Sequence, residues 1–424
     1  MKDLRELILN TLLEVEAGRC KSHLALNNLL DRHAELDKHS RAFLTRELEG
    51  VLERRLTLDA VISRFSKLPT KKLKSVILIL LRMGIYEFYF MDSVPPSATV
   101  NELVKLAEKK GFRSLKGFVN GVLRNADRNR IALSSLPPSE RLSIPPFLFT
   151  LLSDAYGEEE AVRIAEAALS PAPLTVRGNR ILLPPEELFL RLKKEGVCAE
   201  KCPELPNAYV LRELDRLSSL PAFREGLLFV QDLSSQRAMS VPRLHEGMRV
   251  LDLCAAPGGK SFFLYEQLNG RLSLTASDLT EEKTALLSEN AGRLGFEKIR
   301  IEQQDARARR ADRVEAFDLV VADLPCSGLG VMGRKKDLKY RITEADLKAL
   351  SALQKEILGQ AADYVAFGGE LLYSTCTLNP GENRKNREWF LRERRDYRLV
   401  REETILPEKG RCDGFYYALL RREG

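Results

Sequence analysis

Apolar residues in the first 130 positions recur at helical spacing. In 4–13 and again in 24–30 they lie three or four residues apart, which predicts amphipathic helices. Further helices, separated by turn signals such as Pro95-Pro96, are predicted at 76–91, 98–110 and 118–124. The N-terminal third is therefore predicted to be all-α.

A Pro- and Ser-rich stretch at 134–146 predicts a linker after these helices. Beyond it, a helical segment at 151–168 is followed by short strand candidates at 173–176 and 227–230. This mixture predicts a small α+β module.

From Arg249 onward, short apolar runs alternate with amphipathic segments. Strands are predicted at 249–254, 272–278, 298–303, 317–323 and 369–374, and helices at 259–268, 281–294 and 343–367. The alternation is typical of a doubly wound, Rossmann-like parallel sheet, to which the stretch from Asp396 to Leu420 is expected to add edge strands.

Length and composition agree with a multidomain globular protein. A chain of 424 residues, 44% hydrophobic and 30% charged, is too long for one core. We expect a helical domain at 1–135, an α+β module at 145–240 and an α/β domain at 241–424. The most hydrophobic stretch, Ser75–Phe90, contains Arg82 and Glu87, so we interpret it as a buried helix and expect no membrane partner.

The seven cysteines indicate reduced thiols. An odd number, thinly spread and without a leader-like N-terminus, predicts a cytoplasmic protein. Cys198 and Cys202 are four positions apart but lack a second pair or nearby histidines, so no metal site is expected.

Positive charge is concentrated in the helical region. Residues 1–140 contain 24 Lys and Arg against 17 Asp and Glu, an excess equal to the +7 of the whole chain. A polyanionic partner, above all nucleic acid, fits this distribution.

A Gly-rich turn follows the first strand of the α/β region. The strand ending in Asp252 leads into Cys254-Ala255-Ala256-Pro257-Gly258-Gly259-Lys260 and then a helix, an arrangement that lets backbone amides approach a ligand. A phosphate-binding Walker loop would need glycine where Cys254 stands, and the dinucleotide pattern is absent.

Two carboxylates follow the next strands. Asp278 comes nineteen residues after Gly259, where an acid can accept ribose hydroxyls, and Asp305 follows the third strand. Both fit a nucleoside cofactor without a pyrophosphate, which favours S-adenosylmethionine. Alternatively, Asp278 caps the helix that follows.

Two cysteines end neighbouring strand candidates. Cys326 lies in Asp323-Leu324-Pro325-Cys326, and Cys376 lies in Ser374-Thr375-Cys376-Thr377. The carboxyl ends of parallel strands carry the chemistry of such sheets, so two thiols there indicate covalent catalysis. Taken singly, each could be a small buried hydrophobe.

The segments 252–261, 323–328 and 373–377 together resemble the RNA cytosine-C5 methyltransferases. A NusB-like RNA-binding domain is resembled by the segments 82–87, 92–96, 100–102 and 117–124. The segment 226–236 resembles the one that leads into the catalytic domain in the same methyltransferases. This fusion is similar to the RsmB/Sun family, which methylates a cytidine in 16S ribosomal RNA.

The resemblance implies roles for four catalytic side chains. Cys376 would attack carbon 6 of cytosine and Cys326 would assist release. Asp323 would hold the cytosine edge and favour protonation at ring nitrogen 3, or line the methionine end of the cofactor, and Lys260 would lie near the reacting centre. The loop 254–260, with Asp278, Asp305 and Asp323, would bind S-adenosylmethionine.

The expected substrate is single-stranded or hairpin RNA, in free 16S rRNA or in the small subunit or its precursor, and we expect a monomer. Basic side chains that could steer RNA are Lys71, Lys72, Lys74, Lys105, Lys109, Lys110, Arg113, Lys116, Arg334, Lys335 and Lys336.

The alternative functions are a tRNA cytosine-C5 methyltransferase and a non-catalytic ribosome-assembly factor. The chain departs from the family pattern at Gly333, Tyr340, Lys283 and Arg384, which bears on the substrate more than on the reaction.

Overall fold

The computed structural model describes residues 3–170, 173–212, 214 and 216–423, except the side chain of His23. The chain divides into two compact units. The helical unit runs up to Leu169 and includes Arg334–Arg341, and the α/β unit comprises Ser170–Gly333 and the chain from Ile342 onward. No helix of the described part is long and apolar enough to cross a membrane.

In the described residues, ten α-helices precede the first strand, which confirms the all-α prediction for the N-terminal third. They are α1 (Leu4–Glu16), α2 (Ser22–Arg32), α3 (Lys38–Glu53), α4 (Arg55–Phe65), α5 (Ser75–Phe90), α6 (Pro96–Lys109), α7 (Lys116–Arg128), α8 (Pro138–Arg141), α9 (Pro146–Tyr156) and α10 (Glu158–Ala168). The apolar spacing did not indicate α3, α4 or α8. The single helix predicted at 151–168 is wrong, because Gly157 adopts a φ of 87° and separates α9 from α10.

Helix α5 is the centre of the helical unit, and every residue from Ile77 to Phe88 is buried. Its two charged residues are paired. Arg82 donates to both carboxylate oxygens of Asp59 at 2.7 and 2.9 Å, and Glu87 accepts two hydrogen bonds from Arg5 at the same distances. Because buried charges of this kind need partners, these ion pairs explain how a core helix tolerates them. The predicted buried helix is confirmed.

The middle region forms a four-stranded antiparallel sheet with order β2-β3-β1-β4. Its strands are β1 (Leu174–Gly178), β2 (Cys198–Lys201), β3 (Ala208–Arg212) and β4 (Leu228–Val230), with α11 (Pro185–Lys194) and α12 (Pro221–Arg224). The α+β prediction is confirmed, although the sequence patterns indicated only β1 and β4.

A seven-stranded sheet with order β10-β11-β9-β8-β5-β6-β7 dominates the α/β unit. The strands are β5 (Arg249–Asp252), β6 (Ser273–Asp278), β7 (Arg300–Gln303), β8 (Phe317–Asp323), β9 (Val365–Thr375), β10 (Tyr397–Ile405) and β11 (Phe415–Arg422). The remaining helices are α13 (Leu233–Met239), α14 (Gly259–Gln267), α15 (Glu281–Leu294), α16 (Leu338–Arg341), α17 (Glu344–Tyr364) and α18 (Arg384–Glu393).

Strands β5 to β9 are parallel, which confirms the predicted Rossmann-like sheet. The prediction for the C-terminal strands is partly wrong. Of the two C-terminal strands, only β10 lies at an edge of the sheet, because β11 pairs with β10 on one side and with β9 on the other. Alternate residues of β11 enter two separate cores, Tyr417 and Leu419 on one face and Tyr416 and Leu420 on the other. Both faces of β11 are therefore covered by apolar side chains, as is usual for the inner strands of such a sheet.

The segment Arg334–Arg341, which contains α16, completes the junction between α3 and α4. The Tyr340 hydroxyl donates to the carbonyl of Glu53, the last residue of α3, at 2.7 Å. The Ser143 hydroxyl lies 2.8 Å from the same phenol oxygen and accepts from the Leu56 amide in the first turn of α4 at 3.0 Å. Helix ends leave backbone groups without partners, and these contacts satisfy two of them.

Further contacts bind the segment to the helical unit. The Ser22 hydroxyl donates to Asp337 at 2.6 Å, and both side chains are buried. Lys336 pairs with Glu53. The 134–146 stretch is not a free linker, because Leu142 and Ile144 in it are buried as well. Residues distant in sequence therefore belong to one helical unit.

We expect Tyr340→Phe to loosen the α3–α4 junction. Loss of the hydroxyl leaves the Glu53 carbonyl without this donor, at a cost of about 1–3 kcal/mol. Hydrogen–deuterium exchange should show less protection in α3 and α4. Lys335→Ala, which removes an exposed side chain of the same segment, is the control, and an equal loss of protection in both variants would contradict the prediction.

Candidate active site

The two motif cysteines meet beyond neighbouring parallel strands. Strands β8 and β9 pair with Asp323 opposite Ser374, and the Leu324 amide donates to the Ser374 carbonyl at 3.0 Å. The loops that follow bring the sulfur atoms of Cys326 and Cys376 to 3.2 Å, within hydrogen-bonding distance and without a disulfide bond between them. The strand register thus places two cysteines that are fifty residues apart in sequence in direct contact.

The cysteine loops are also joined behind the thiols. The hydroxyls of Ser327 and Thr377 lie 2.6 Å apart, and the Gly330 amide donates to the Cys376 carbonyl at 3.0 Å. A β-carbon on Gly330 would come within 2.1 Å of the Gly414 carbonyl oxygen. Only glycine permits this close approach of backbones.

The environment of Cys326 favours the neutral thiol. Its contact with Cys376 is the largest of the influences that raise the pKa of the Cys326 thiol well above the usual value. Burial and the negative charges of Glu382 and Asp323 act in the same direction. Cys326 can therefore serve as a hydrogen-bond donor to the neighbouring sulfur.

Lys260 and Asp323 form an ion pair beside the thiols. The Lys260 ammonium binds one oxygen of Asp323, while the Ser374 hydroxyl donates to the other at 2.8 Å. Burial lowers the pKa of Lys260, but the charges of Asp323 and Asp252 outweigh it and leave this pKa raised. A negative Cys376 also favours the ammonium, so the two groups attract each other when both are charged.

Asp252 is a site residue that the sequence analysis did not single out. It ends β5, is fully buried, and accepts a hydrogen bond from the Ser261 hydroxyl at 2.6 Å through one oxygen. The other oxygen accepts no hydrogen bond within the described residues. Burial raises the pKa of Asp252 to about 7, against the opposing effects of Ser261 and Lys260. The sequence signal that could have identified Asp252 is its position at the end of the strand that leads into the Gly-rich loop.

A cleft of about 190 Å³ lies against the Gly-rich loop. It is lined by Phe229, Val230, Gln231, Asp232, Ser235, Asp252, Cys254, Ala255, Ala256, Pro257, Gly259, Lys260 and Asp323. The structure therefore brings together six of the seven predicted loop residues with Asp323. The remaining one, Gly258, has a φ of 110° and gives the loop its turn into α14.

Asp278 supports the loop instead of lining this cleft. Its carboxylate accepts from the Ala256 amide at 3.0 Å, from the Leu279 amide at 2.7 Å and from Lys283 at 2.8 Å. The alternative that Asp278 caps the next helix is wrong, because the N-cap of α15 is Thr280.

Asp305 also lies outside the lining of the cleft. It forms a two-oxygen contact with Arg307, with distances between 2.6 and 3.1 Å. Hydrogen bonds from Arg307 lower the pKa of the Asp305 carboxyl.

The middle module contributes one wall of the cleft through 229–235. Arg177 of β1, fully buried, fixes this wall to the loop. It pairs with Glu266 of α14 at 2.8 Å, binds the Gln231 side chain and donates to the Gly259 carbonyl at 3.1 Å. Sequence reasoning missed Arg177 because an isolated arginine in a short strand carries no pattern.

Most of the predicted RNA-steering residues of the helical unit are already paired. Lys109 and Lys110 bind Glu6, and the pairs Arg113–Glu108, Lys116–Glu108 and Lys105–Glu102 account for three more. In the part of the chain that is described, the exposed Lys71, Lys72 and Lys74 have no carboxylate partner.

Three family models match the chain. "16S rRNA methyltransferase RsmB/F" matches residues 239–421, "NusB family" matches 2–128, and "Methyltr_RsmF/B-like, ferredoxin-like domain" matches 144–214. They bear out the Rossmann-like methyltransferase, NusB-like and α+β predictions, and the family resemblance drawn from the motifs is confirmed.

Relatives with similar sequence or fold agree. The "Probable ribosomal RNA small subunit methyltransferase B" of Bacillus subtilis is 33% identical, over 99% of this chain and 99% of that protein. The solved structure of PH0851 has a TM-score of 0.83 at 24% identity, over 98% of this chain and 97% of that one.

A second solved structure, NSun6 from Pyrococcus horikoshii with SFG, has a TM-score of 0.60 at 22% identity and covers 66% of this chain and 98% of that one. SFG is an analogue of S-adenosylmethionine. With one third of its residues identical to those of the Bacillus protein along nearly its full length, the chain belongs to the ribosomal RNA small subunit methyltransferase B family, within the S-adenosylmethionine-dependent RsmB/F methyltransferases.

Proposed function

We propose that this protein methylates carbon 5 of a cytidine in 16S rRNA, through a covalent adduct between Cys376 and carbon 6 of the base. The observation that carries the proposal is the 3.2 Å contact between Cys326 and Cys376, next to a cleft lined by Lys260 and Asp323. Two thiols in contact suit a reaction in which one sulfur attacks and must later leave.

The chemistry explains why a thiolate is needed. Carbon 5 of cytosine is a poor nucleophile, and addition of a thiolate to carbon 6 converts the ring to an enamine that can attack an electrophilic methyl group. We assign the addition to Cys376, whose negative charge Lys260 would attract.

Release requires transfer of the proton at carbon 5 to a base, for which we propose a solvent water. The electrons of that carbon–hydrogen bond restore the ring double bond while the bond between carbon 6 and the Cys376 sulfur breaks. We assign assistance with this step to Cys326, whose protonated thiol can donate to that sulfur as negative charge returns to it. Asp323, oriented by Ser374 and Lys260, would bind the cytosine edge and favour protonation at ring nitrogen 3.

S-adenosylmethionine, when bound, supplies the methyl group. The lining of the cleft fits this cofactor, because the loop 254–260 offers backbone amides. One buried oxygen of Asp252, which accepts no hydrogen bond within the described part of the chain, can accept from a cationic or N–H donor. Asp278, which accepts from the Ala256 amide and from Lys283, would support the cofactor indirectly by holding the loop in place. Asp305 is proposed as a further contact toward the nucleoside end.

RNA would be recruited by the exposed lysines of the helical unit. The three domains at 1–135, 145–240 and 241–424 would then divide the work into RNA capture, support of the cleft and chemistry. We propose a monomer acting on 16S rRNA, free or in a small-subunit precursor. Methylation of tRNA, or absence of any methylation, would instead support the two alternative functions.

We expect Cys376→Ala to reduce methyl transfer by more than about 1,000-fold, since it removes the attacking group. Bisulfite sequencing of ribosomal RNA from cells with the variant as their only copy should show one unmethylated cytidine. Expression of the unaltered protein should restore methylation of this cytidine. Retention of methylation at every position in a strain that lacks the protein would contradict the proposed function.

We expect Cys326→Ala to trap an RNA–protein adduct, because attack can proceed while release is slowed. The adduct should appear as a band of lower mobility on denaturing gels after incubation with RNA and S-adenosylmethionine. The double variant with Cys376→Ala should form none. Normal turnover by Cys326→Ala would show that the two thiols do not divide attack and release.

We expect replacement of Lys71, Lys72 and Lys74 by alanine to weaken RNA binding without changing cofactor affinity. If all three contact phosphates, the slope of log affinity against log salt should fall by about 2. Alanine at Lys109 and Lys110, which are paired with Glu6, is the matched control. An equal effect of both replacements would exclude a special role for the unpaired lysines.

A further inference from the structure

A buried carboxylate links the two cysteine loops. Glu382 lies between β9 and α18 and is fully buried. One of its oxygens accepts from the Ser327 amide, directly after Cys326, at 2.8 Å. The other accepts from the Asn379 side chain, three residues after Cys376, at 2.9 Å. A single rigid group is therefore hydrogen-bonded to both loops.

The surroundings of Glu382 hold it in one orientation. Gln354 of α17 donates to the oxygen that binds Ser327, at 3.0 Å, and also to the Pro325 carbonyl at 2.8 Å. The Tyr373 hydroxyl of β9 donates to the Glu382 carbonyl. Helix α17 thus fixes the carboxylate and strand β9 fixes the backbone of the same residue, so Glu382 can define the positions of the loops that it binds.

All three hydrogen bonds to the Glu382 side chain come from N–H groups, so both of its oxygens act as acceptors. No cation pairs with it among the described residues. A buried carboxylate without a counter-ion is costly, and its negative charge is one of the influences that raise the pKa of Cys326.

We propose that Glu382 is a positioning residue that joins the loop after Cys326 to the loop after Cys376 and so sets the distance between the two thiols. The proposal deepens the proposed function, because attack and release by different thiols require a fixed spacing. Glu382 itself does not line the cleft. It acts through the backbone of Ser327 and through Asn379.

The first test measures the spacing of the thiols directly. Dibromobimane bridges two thiols only when they are close, and mass spectrometry of the digested protein identifies the peptide pair that contains Cys326 and Cys376. In Glu382→Gln, an amide NH2 group replaces one carboxylate oxygen and faces the N–H group that this oxygen had bound. Because two donors cannot form a hydrogen bond, we expect bridging of the two thiols to slow at least about fivefold. Turnover on RNA should fall by about 100-fold, as for a displacement of roughly 1 Å, with cofactor affinity within about twofold.

The control is Glu388→Gln, which alters a partly exposed carboxylate of α18 that pairs with Arg384. It should bridge and turn over as the unaltered protein does. Equal bridging and turnover in Glu382→Gln and Glu388→Gln would overturn the proposal. Because bridging uses no RNA, it decides the positioning role even if the proposed reaction on cytidine is wrong.

A second measurement separates positioning from general support of the fold. In a Cys376→Ser background, the rate of Cys326 alkylation by iodoacetamide is followed against pH. Removing the negative charge of Glu382 favours the thiolate, so Glu382→Gln should move the midpoint to lower pH. An unmoved midpoint would contradict the proximity of this charge to Cys326.

If Glu382→Gln does not bind S-adenosylmethionine, Asn379→Ala decides the question. It cuts the link to the Cys376 loop and leaves the contact between Glu382 and Ser327 intact. Slower bridging with retained cofactor binding is the expected result. Bridging at the rate of the unaltered protein would overturn the proposal.

Discussion

The parallel pairing of β8 with β9 is the constraint on which the site depends. Asp323 stands opposite Ser374, and both cysteines follow within three residues of this pair. A shift of one residue in register would reverse the faces of a strand and separate the thiols. Both strands are buried on their two faces, so the hydrophobic cores fix the register that the chemistry requires.

Electrostatics divide the site into two parts. Asp252, Asp323 and Lys260 form a cluster of ionisable groups that line the cleft. The ammonium of Lys260 pairs with Asp323 and also interacts electrostatically with Asp252. Cys326 stands where negative groups surround it, while Cys376 faces the ammonium. In a partly buried site such interactions are stronger than in water, so the position of each charge can decide which thiol ionises.

Much of this arrangement could be predicted from local sequence. The strand ends carrying Cys326 and Cys376 and the loop 254–260 follow from apolar runs and glycines, which report on the nearby backbone. Arg177, the wall at 229–235 and the contacts of Tyr340 could not be predicted, because they depend on residues far away in the chain. The edge position of β11 was wrongly predicted for the same reason, since its neighbours are set by the whole sheet.

The place of Arg334–Arg341 has a consequence for the order in which the protein is made. The helical unit is otherwise complete at Leu169, yet its last segment leaves the ribosome about 170 residues later. At 5–20 residues per second this is a delay of roughly 10–30 s. During that interval the end of α3 lacks Tyr340, and Ser22 lacks Asp337. The helical unit thus finishes folding only after β8 and the Cys326 loop have been synthesised.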